Sequence, residues 1–573
     1  MSVVIKYGDF AVGAKEAFNL EATDQIYFSN LQQVKENIQF FPNYGNPIER
    51  YSVPLNASVV PLPQNVEGEN VGWWSDQISD DKGNFATPIV LEMVSDEYFT
   101  STSITITFDT AKKIYSNDLS ISWYRDGALL SEKSFTPTSA KYSCENKVEF
   151  YNKVIITFNK LNYPLNRLRV RSVDHGSVSF FNGKNIRKCN ISQKINSICT
   201  ELPIGTGSIL LNGENGVEYS FQKRQTISII VNGIPQNTFF VNKALRKGKN
   251  EWEIQAEDYI GILENSKFYG GVYNNANAGT LLSEIFNNAN VPFEVDSEIS
   301  SEKLSGYIEF GSCRNALMQV CFATGAIVDA SSSNLVKVKK IAQEVSQKIE
   351  NARIMQGLQV VKDTRVTSVS IASHSYKKLE EEYIAYDATQ GGTGQNLFVV
   401  FKEPLHSVTI QNGDLLEFGN NYAIINANEG CILKGKKYEH SLYMKSKDNP
   451  LVLSTDTKNV KSITKATLVN GQNIDKLLEL CYNYYNNTDS VHAKIVDRKH
   501  VRGGDIIRYG QGVIYGQYKY RQKSNKIVFY DTPVNVGDRI SIDTTYQGVF
   551  DGVVESCDYS LSGNNIVKNI VVR

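Results

Sequence analysis

The sequence lacks long hydrophobic runs, and none of its apolar stretches approaches the roughly 20 residues that a membrane-spanning helix needs. It also lacks a signal peptide, because residues 1–9 (MSVVIKYGD) contain neither a basic start nor an extended apolar segment. These absences predict that the chain is not exported by the general secretory route and does not insert into a membrane.

An excess of charge of either sign is also missing. Lysine and arginine total 60 and aspartate and glutamate total 61, for a net charge of -1. This balance excludes a general attraction to nucleic acid or to anionic membranes. Two short basic runs, Lys243–Lys249 and Arg498–Arg502, are typical of solvated turns, so we predict no nucleic-acid partner.

The eight cysteines show neither a C-x-x-C pair nor the spacing of a zinc site. We therefore expect reduced, buried thiols in a protein that is made in the cytoplasm. The six histidines are scattered, and none lies four residues from another. No metal site and no cofactor-binding residue is predicted.

Catalytic motifs are absent as well, since the sequence contains neither H-E-x-x-H nor G-x-S-x-G. The acid runs Glu380–Glu382 and Asp80-Asp81 keep one alternative open, a glycoside hydrolase with two carboxylates across a sugar. A charged surface run is the stronger interpretation. We predict no catalytic residue and no enzymatic activity.

What the sequence does contain is β-forming residues and hairpin turns. It has 31 tyrosines and 26 phenylalanines, with many Val/Ile/Thr runs and repeated Asn-Gly pairs such as Asn182-Gly183, Asn232-Gly233 and Asn412-Gly413. Helical spacing occurs at 280–289, 312–324 and 472–485. Ser312 is placed as an N-cap and Gly325 as a left-handed helix terminator. The sequence predicts a mainly β fold with a small α/β insert.

Short alternating strands between residues 71 and 175 predict a β-sandwich that resembles jelly-roll carbohydrate-binding modules. An aromatic ring offers a flat apolar face to a sugar. Trp73 and Trp74, in a turn-rich approach to the sandwich, are the candidate glycan contacts. The competing interpretation is that the aromatic residues pack the core of the sandwich.

Four segments of the middle third carry a family resemblance: EDYIGIL at 257–263, YGGVYN at 269–274, GYIEFGSCRNAL at 306–317 and GAIVD at 325–329. These signature segments resemble the tail hub and baseplate proteins of phages of Gram-positive bacteria and of phage-tail-like bacteriocins. The resemblance implies β-barrels that form rings through subunit contacts, in a contractile tail or a related particle.

These observations together predict six regions. They are an extended N-terminal arm (1–70), a carbohydrate-binding-like β-sandwich (71–175), a hub-like β-barrel (176–265), an α/β insert (266–345), a β domain (346–465), and a helix with a closing β domain (466–573).

The implied function is structural, in the baseplate or tail tip of a virion or tail-like particle. The expected partners are other tail proteins, further copies of this chain with a trimer as the first expectation, and a host-surface glycan. Two alternatives remain open, a tail-associated cell-wall glycoside hydrolase or peptidase and a carbohydrate-binding adhesin.

Overall fold

A computed structural model describes residues 3–26, 31, 34, 51–52, 60–61, 72–110, 112–214, 217, 219–231, 234–331, 334–349, 354, 358–362, 366–450, 461–467, 473–487, 489–495, 498–502, 506–509, 519–522, 525–529, 534–543, 548–562 and 565–573. Strands make up 61% and helices 13%, which confirms the predicted mainly β fold class. No helix in these ranges has the length and apolar character of a membrane span.

The elements up to residue 174 are β1 (Val3–Phe10), α1 (Ala14–Ala17), β2 (Asn19–Ala22), β3 (Tyr51–Ser52), β4 (Val60–Pro61), β5 (Trp73–Ile78), β6 (Asn84–Thr107), β7 (Ser116–Arg125), β8 (Ala128–Phe135), β9 (Lys141–Leu161), β10 (Arg167–Val170) and β11 (Ser172–Asp174). Those from 176 to 349 are β12 (Gly176–Phe181), β13 (Ile186–Lys194), β14 (Thr206–Asn212), β15 (Thr226–Val231), β16 (Ile234–Arg246), β17 (Glu251–Glu257), α2 (Tyr259–Glu264), β18 (Lys267–Phe268), β19 (Gly271–Asn277), α3 (Ala278–Asn288), β20 (Phe293–Val295), α4 (Ser297–Ser300), β21 (Lys303–Ile308), β22 (Gly311–Ser312), α5 (Cys313–Thr324), β23 (Ile327–Asp329), β24 (Val336–Lys339) and β25 (Gln347–Ile349). The remainder are β26 (Gln359–Lys362), β27 (Val366–Asp387), α6 (Ala388–Gly391), β28 (Gly394–Val400), β29 (Leu405–Phe418), β30 (Tyr422–Asp448), β31 (Lys461–Thr467), α7 (Ile474–Asn486), β32 (Asp489–Ile495), β33 (Arg498–Arg502), β34 (Ile506–Tyr509), β35 (Lys519–Gln522), β36 (Asn525–Phe529), β37 (Arg539–Asp543), β38 (Val549–Ser562) and β39 (Asn565–Val572).

A sheet of 13 strands, which we call the central sheet, joins distant parts of the chain. Its order is β12-β1-β15-β16-β17-β14-β13-β38-β39-β32-β26, with β37 beside β38 and β25 beside β37. One apolar core lies along it, from Ile5 in β1 to Val572 in β39. Among the described strands this order has two ends and forms no closed barrel, which corrects the predicted hub-like barrels.

The first strand of the chain is an inner strand of the central sheet. In β1, Ile5 and Tyr7 are buried and Lys6 between them is exposed, as expected for a strand with one face on a core. Ile5 lies opposite Phe181 of β12 on one side and Ile229 of β15 on the other. Residues 3–10 were predicted within an extended arm. The structure instead places them in a sheet, because their partners begin more than a hundred residues later in the sequence.

A β-sandwich is inserted between β1 and β12. Its larger layer has the order β11-β6-β9-β7-β8 with β2 beside β6, and its smaller layer is the pair β10-β5. Alternating residues face the core between the layers; in β7 these are Leu119, Ile121 and Trp123. Within the described residues the layers are unequal, and they differ from the two similar sheets of a jelly roll.

A buried carboxylate joins the sandwich to the central sheet. Asp9 at the end of β1 accepts hydrogen bonds from the Tyr7 hydroxyl (3.0 Å) and from the Gln225 side chain (3.0 Å). Its other oxygen accepts one from the Thr102 hydroxyl of β6 (3.0 Å). We call this set the Asp9 network. Each donor offsets part of the desolvation cost of a buried carboxylate, so the network fixes the sandwich against the sheet.

The alternating polar and apolar residues at 218–222 (EYSFQ) predict a strand, and that prediction is wrong for the described part, residues 219–222. Backbone and side-chain groups of this segment bond to the Asp9 network instead. The Phe221 N–H donates to the Tyr7 hydroxyl (2.8 Å), and the Ser220 N–H donates to Asp9 (3.3 Å). The alternating polar and apolar residues therefore belong to a loop that packs on β1, not to a strand.

The α/β insert follows the sequence prediction closely. Helices α3 and α5 cover the predicted helices 280–289 and 312–324 to within two residues, and they pack in one core. The Ser312 hydroxyl accepts a hydrogen bond from the Asn315 N–H (3.2 Å), and Gly325 has φ 62°, which confirms both predicted caps. The apolar runs at 326–329 and 335–339 predict a hairpin, which β23 and β24 form. Helix α7, also predicted, buries Ile474 and Leu477 in the same core.

Strands β27 to β31 form a separate five-stranded sheet, which we call the outer sheet. Its order is β28-β30-β27-β31, with β29 beside β30. It has its own small core, which includes Leu405, Ile425 and Leu433. All eight cysteines are buried, as predicted.

His175 lies where the chain passes from the sandwich back into the central sheet. Its ring stacks on Phe18 at 4.4 Å, and its Nδ1 lies 2.8 Å from the Tyr151 hydroxyl. Burial, together with the nearby Lys15 ammonium, lowers the pKa of His175 to about 3. The folded chain therefore holds this imidazole neutral.

The sandwich should lose stability in mild acid because of His175. The unfolded chain takes up a proton near pH 6.5 and the folded chain only near pH 3. Below pH 6.5 the free energy of unfolding should therefore fall by about 1.4 kcal/mol per pH unit more than in His175→Gln. Urea unfolding at pH 7, 6 and 5 measures this difference. Tryptophan fluorescence is a suitable signal, because Trp73, Trp74 and Trp123 lie in the sandwich and only Trp252 lies elsewhere. Equal pH slopes in the two proteins would contradict the assignment.

Candidate functional site

The first signature segment, 257–263, builds a capped helix directly after β17, an inner strand of the central sheet. Asp258 is the N-cap of α2, and its carboxylate accepts hydrogen bonds from the Ile260 N–H (3.0 Å) and the Gly205 N–H (2.9 Å). Burial raises the pKa of Asp258 to about 7, although the backbone donors act in the opposite direction. A Cβ on Gly205 would lie 2.4 Å from the Asp258 carboxylate, so only glycine allows this approach. The segment positions the α/β insert.

The second and third signature segments meet where β19 pairs with β21. A tight turn at Gly270 precedes β19. Gly270 has φ 63°, and a Cβ there would lie 2.2 Å from the Ile308 carbonyl oxygen. The turn between β29 and β30 of the outer sheet closes over this point. The Asn421 side chain donates hydrogen bonds to the carbonyls of Tyr269 (2.7 Å) and Ile308 (2.9 Å). The Val272 N–H donates to the Asn420 side chain (3.1 Å). These bonds hold the outer sheet against the signature segments.

Four aromatic rings cluster at this contact. Tyr269 and Phe310 come from the signature segments, and Phe398 and Tyr422 come from the outer sheet. The ring centroids of Tyr269 lie 5.9 Å from Phe310, 6.0 Å from Phe398 and 4.6 Å from Tyr422. Phe398 lies 5.6 Å from Phe310 and 5.4 Å from Tyr422. Spacings of this size are those at which aromatic pairs attract one another beyond simple burial.

The cluster remains partly open to solvent. Phe398 is 42% exposed and Val400, two residues further on the same face of β28, is 45% exposed. Tyr269 is also exposed, whereas Tyr422 is buried beneath them. We call these four residues, together with Phe310, the aromatic surface. Rings fixed in place by their neighbours lose little conformational entropy when a partner covers them, which suits a protein interface.

Acidic groups lie beside the aromatic surface. The Tyr422 hydroxyl donates a hydrogen bond to the Glu417 carboxylate (2.5 Å), and Glu309 accepts one from the Asn315 side chain (3.4 Å). Burial, followed by the bond to Glu417, raises the pKa of Tyr422. This phenol is therefore a neutral hydrogen-bond donor.

The predicted glycan contacts lie in the sandwich, far along the chain from the aromatic surface. Trp73 is fully buried in the sandwich core, with its ring 6.4 Å from Phe158. Trp74 is half-buried, and the Arg169 guanidinium lies over its ring at 5.0 Å. Trp73 is therefore closed to solvent, and the Arg169 side chain covers one face of the Trp74 indole. The turn-rich sequence before them did not indicate the pairing of β5 with β10.

The two acid runs form local contacts. Across β27 and β30, Glu380, Glu381 and Glu382 form ion pairs with Lys436, Lys437 and Lys434. Asp80 accepts hydrogen bonds from the N–H groups of Lys82 (2.9 Å) and Asn84 (2.7 Å) and so shapes a hairpin turn. Each run has a structural explanation in strand pairing or turn formation.

The histidines and basic runs are likewise dispersed. His374 and His440 stack on each other across β27 and β30, with 2.8 Å between ring nitrogens. Within the described residues no three metal-ligating side chains come together. In the first basic run, Lys247 pairs with Glu253 at 2.8 Å. The side chains of the second run, 498–502, lie outside the described part of the chain.

No protein-family model matches the chain, and no curated protein matches it. Among solved structures, the 43 kDa tail protein of prophage MuSo2 from Shewanella oneidensis aligns over 69% of this chain and 95% of its own, at 10% identity and a TM-score of 0.40. The tail protein from Neisseria meningitidis MC58 covers 69% and 93%, at 9% identity and a TM-score of 0.40. Prophage tail protein gp18 from Listeria monocytogenes EGD-e covers 69% and 90%, at 9% identity and a TM-score of 0.37. Similarities this low assign no role to any residue of this chain.

The first signature segment should stabilise the fold through Asp258. Asp258→Ala removes the cap and leaves the Ile260 and Gly205 N–H groups buried without an acceptor, so the free energy of unfolding should fall by about 2 kcal/mol. Asp258→Asn keeps one acceptor oxygen and should lose about half as much. Chemical unfolding of the three proteins, with amide exchange at 259–264, measures both values. The capping role is excluded if Asp258→Ala is as stable as the original chain.

Proposed function

We propose that this chain is a structural protein of the tail of a phage or phage-tail-like particle, located at the baseplate or tail tip. It assembles there with other tail proteins and contributes to attachment at the host surface. The observation that carries the proposal is the aromatic surface, where two signature segments and the outer sheet together expose a preformed apolar cluster.

The composition of this surface favours binding to protein. Tyr269, Phe398 and Val400 expose apolar area, and a contiguous exposed patch of this kind costs free energy unless a partner covers it. Aromatic residues concentrate at the centre of protein interfaces, where they contribute most of the binding energy. The acidic groups of Glu309 and Glu417 form a polar rim that can fix the orientation of the partner.

The family resemblance supports tail proteins as the partner class, including further copies of this chain. A ring of identical subunits is the arrangement that the resemblance implies, and threefold symmetry is our first expectation. The central sheet gives each copy a rigid body, and the sandwich projects from it as an insertion. In this arrangement the aromatic surface lies at a subunit contact.

Val400→Asp should weaken assembly. A carboxylate at the centre of an apolar contact must be desolvated, so we expect at least a tenfold loss of affinity between subunits. Native mass spectrometry and light scattering over a range of concentrations measure the oligomer, and purification of particles carrying the variant measures its incorporation. Because Val400 is 45% exposed, the free energy of unfolding should change little.

Val345→Asp is the matched control, because Val345 is 42% exposed and lies outside the aromatic surface. It should assemble as the original chain does. If Val400→Asp forms the same oligomers and enters particles at the original level, the aromatic surface is not an assembly contact.

A further inference from the structure

One end of the sandwich presents two aromatic side chains to solvent beside a polar group. Tyr98 is 51% exposed and Phe150 is 59% exposed. They come from irregular points in β6 and β9, where the register between these strands shifts. The turn Asp126-Gly127, which joins β7 and β8, lies at the same end.

The backbone at Phe150 holds its ring outward. Phe150 has φ 56°, a left-handed conformation that costs free energy for any residue with a Cβ. Three bonds keep it there. The Phe150 N–H donates to the Thr100 hydroxyl (3.1 Å), and Arg125 donates to the carbonyls of Phe150 (2.6 Å) and Glu149 (2.9 Å). The chain thus stabilises a strained conformation that exposes an aromatic ring. Strain of this kind concentrates at binding sites.

The polar group beside the rings is a carboxylate with an amide. Asp126 accepts hydrogen bonds from the Tyr98 hydroxyl (3.0 and 3.1 Å) and from the Asn152 side chain (3.1 Å). The Asp126 N–H in turn donates to the Asn152 side chain (3.0 Å). These bonds fix the positions of the carboxylate and the phenol. A carboxylate has about four acceptor positions, so it can accept further hydrogen bonds from a ligand.

We propose that Tyr98, Phe150, Asp126, Asn152 and Arg125 form a saccharide-binding site, which we call the sandwich-end site. A sugar ring has an apolar face of C–H groups that packs on an exposed aromatic ring, and hydroxyl groups at its edge that donate to a carboxylate. The site offers both in fixed positions. The proposal rests on the proposed function in host attachment, and it moves the expected glycan contact away from Trp73 and Trp74.

The sandwich-end site is tied to the central sheet. Thr100, whose hydroxyl holds the Phe150 backbone, accepts a hydrogen bond at its carbonyl from the Gln222 side chain (3.0 Å). Two residues further along β6, Thr102 donates to Asp9. A ligand bound at the sandwich end is therefore held at a fixed place relative to the body of the chain.

Binding of the full chain to a panel of saccharides tests the proposal. The panel contains trimers of N-acetylglucosamine, glucose and galactose and the purified surface polysaccharide of the host. Saturation-transfer NMR detects contact, and calorimetry measures affinity. We expect at least one member to bind. Phe150→Ala and Tyr98→Ala should each weaken that binding at least tenfold, and Phe150→Tyr, which keeps the ring, should restore it to within about threefold.

Tyr163→Ala is the matched control, because Tyr163 is an exposed tyrosine of the same sandwich (55%) outside the site. Its affinity should equal that of the original chain. The proposal is overturned if no saccharide of the panel binds, or if Phe150→Ala and Tyr163→Ala bind alike. Circular dichroism confirms that each variant is folded, and a Phe150→Ala that loses the fold is replaced by Tyr98→Ala as the deciding variant. Saccharide binding by a chain that is absent from tails would reject the proposed function and leave this site in place.

Discussion

The pairing of β1 between β12 and β15 is the constraint on which the rest of the structure depends. It brings the first residues of the chain into a sheet whose other strands begin after a whole inserted domain. Asp9 then fixes that inserted domain, because its buried carboxylate takes donors from both sides of the junction. These contacts hold the sandwich at a fixed place beside the central sheet.

Polar contacts also fix the outer sheet against the α/β insert. Asn420 and Asn421 at one turn of the outer sheet bond to the backbone of the signature segments, and the glycines of those segments make room for the approach. The four rings of the aromatic surface meet because of this backbone contact. Polar bonds at both junctions thus determine which apolar groups face solvent, and hydrophobic burial stabilises each core separately.

Local signals in the sequence predicted the elements whose partners are near in the chain. Ser312 and Gly325 cap their helix as expected, since capping depends on a few neighbouring residues. The position of β1 was missed, and the sequence left open whether Trp73 packs the core, because both depend on strands that are distant in sequence. The sequence indicated only part of the aromatic surface. Tyr269 lies in a signature segment, but no local pattern brings Phe398 to it, although the unbroken apolar run around Phe398 indicates a strand with two apolar faces.

We propose that this chain is part of a tail and has a structural role there. Electron microscopy of purified particles, with a compact tag on the chain, is the decisive experiment. We expect tag density at the baseplate or tail tip, repeated around the tail axis as for a ring of copies. Particles that are complete and infectious without any copy of this chain at the tail end would contradict it.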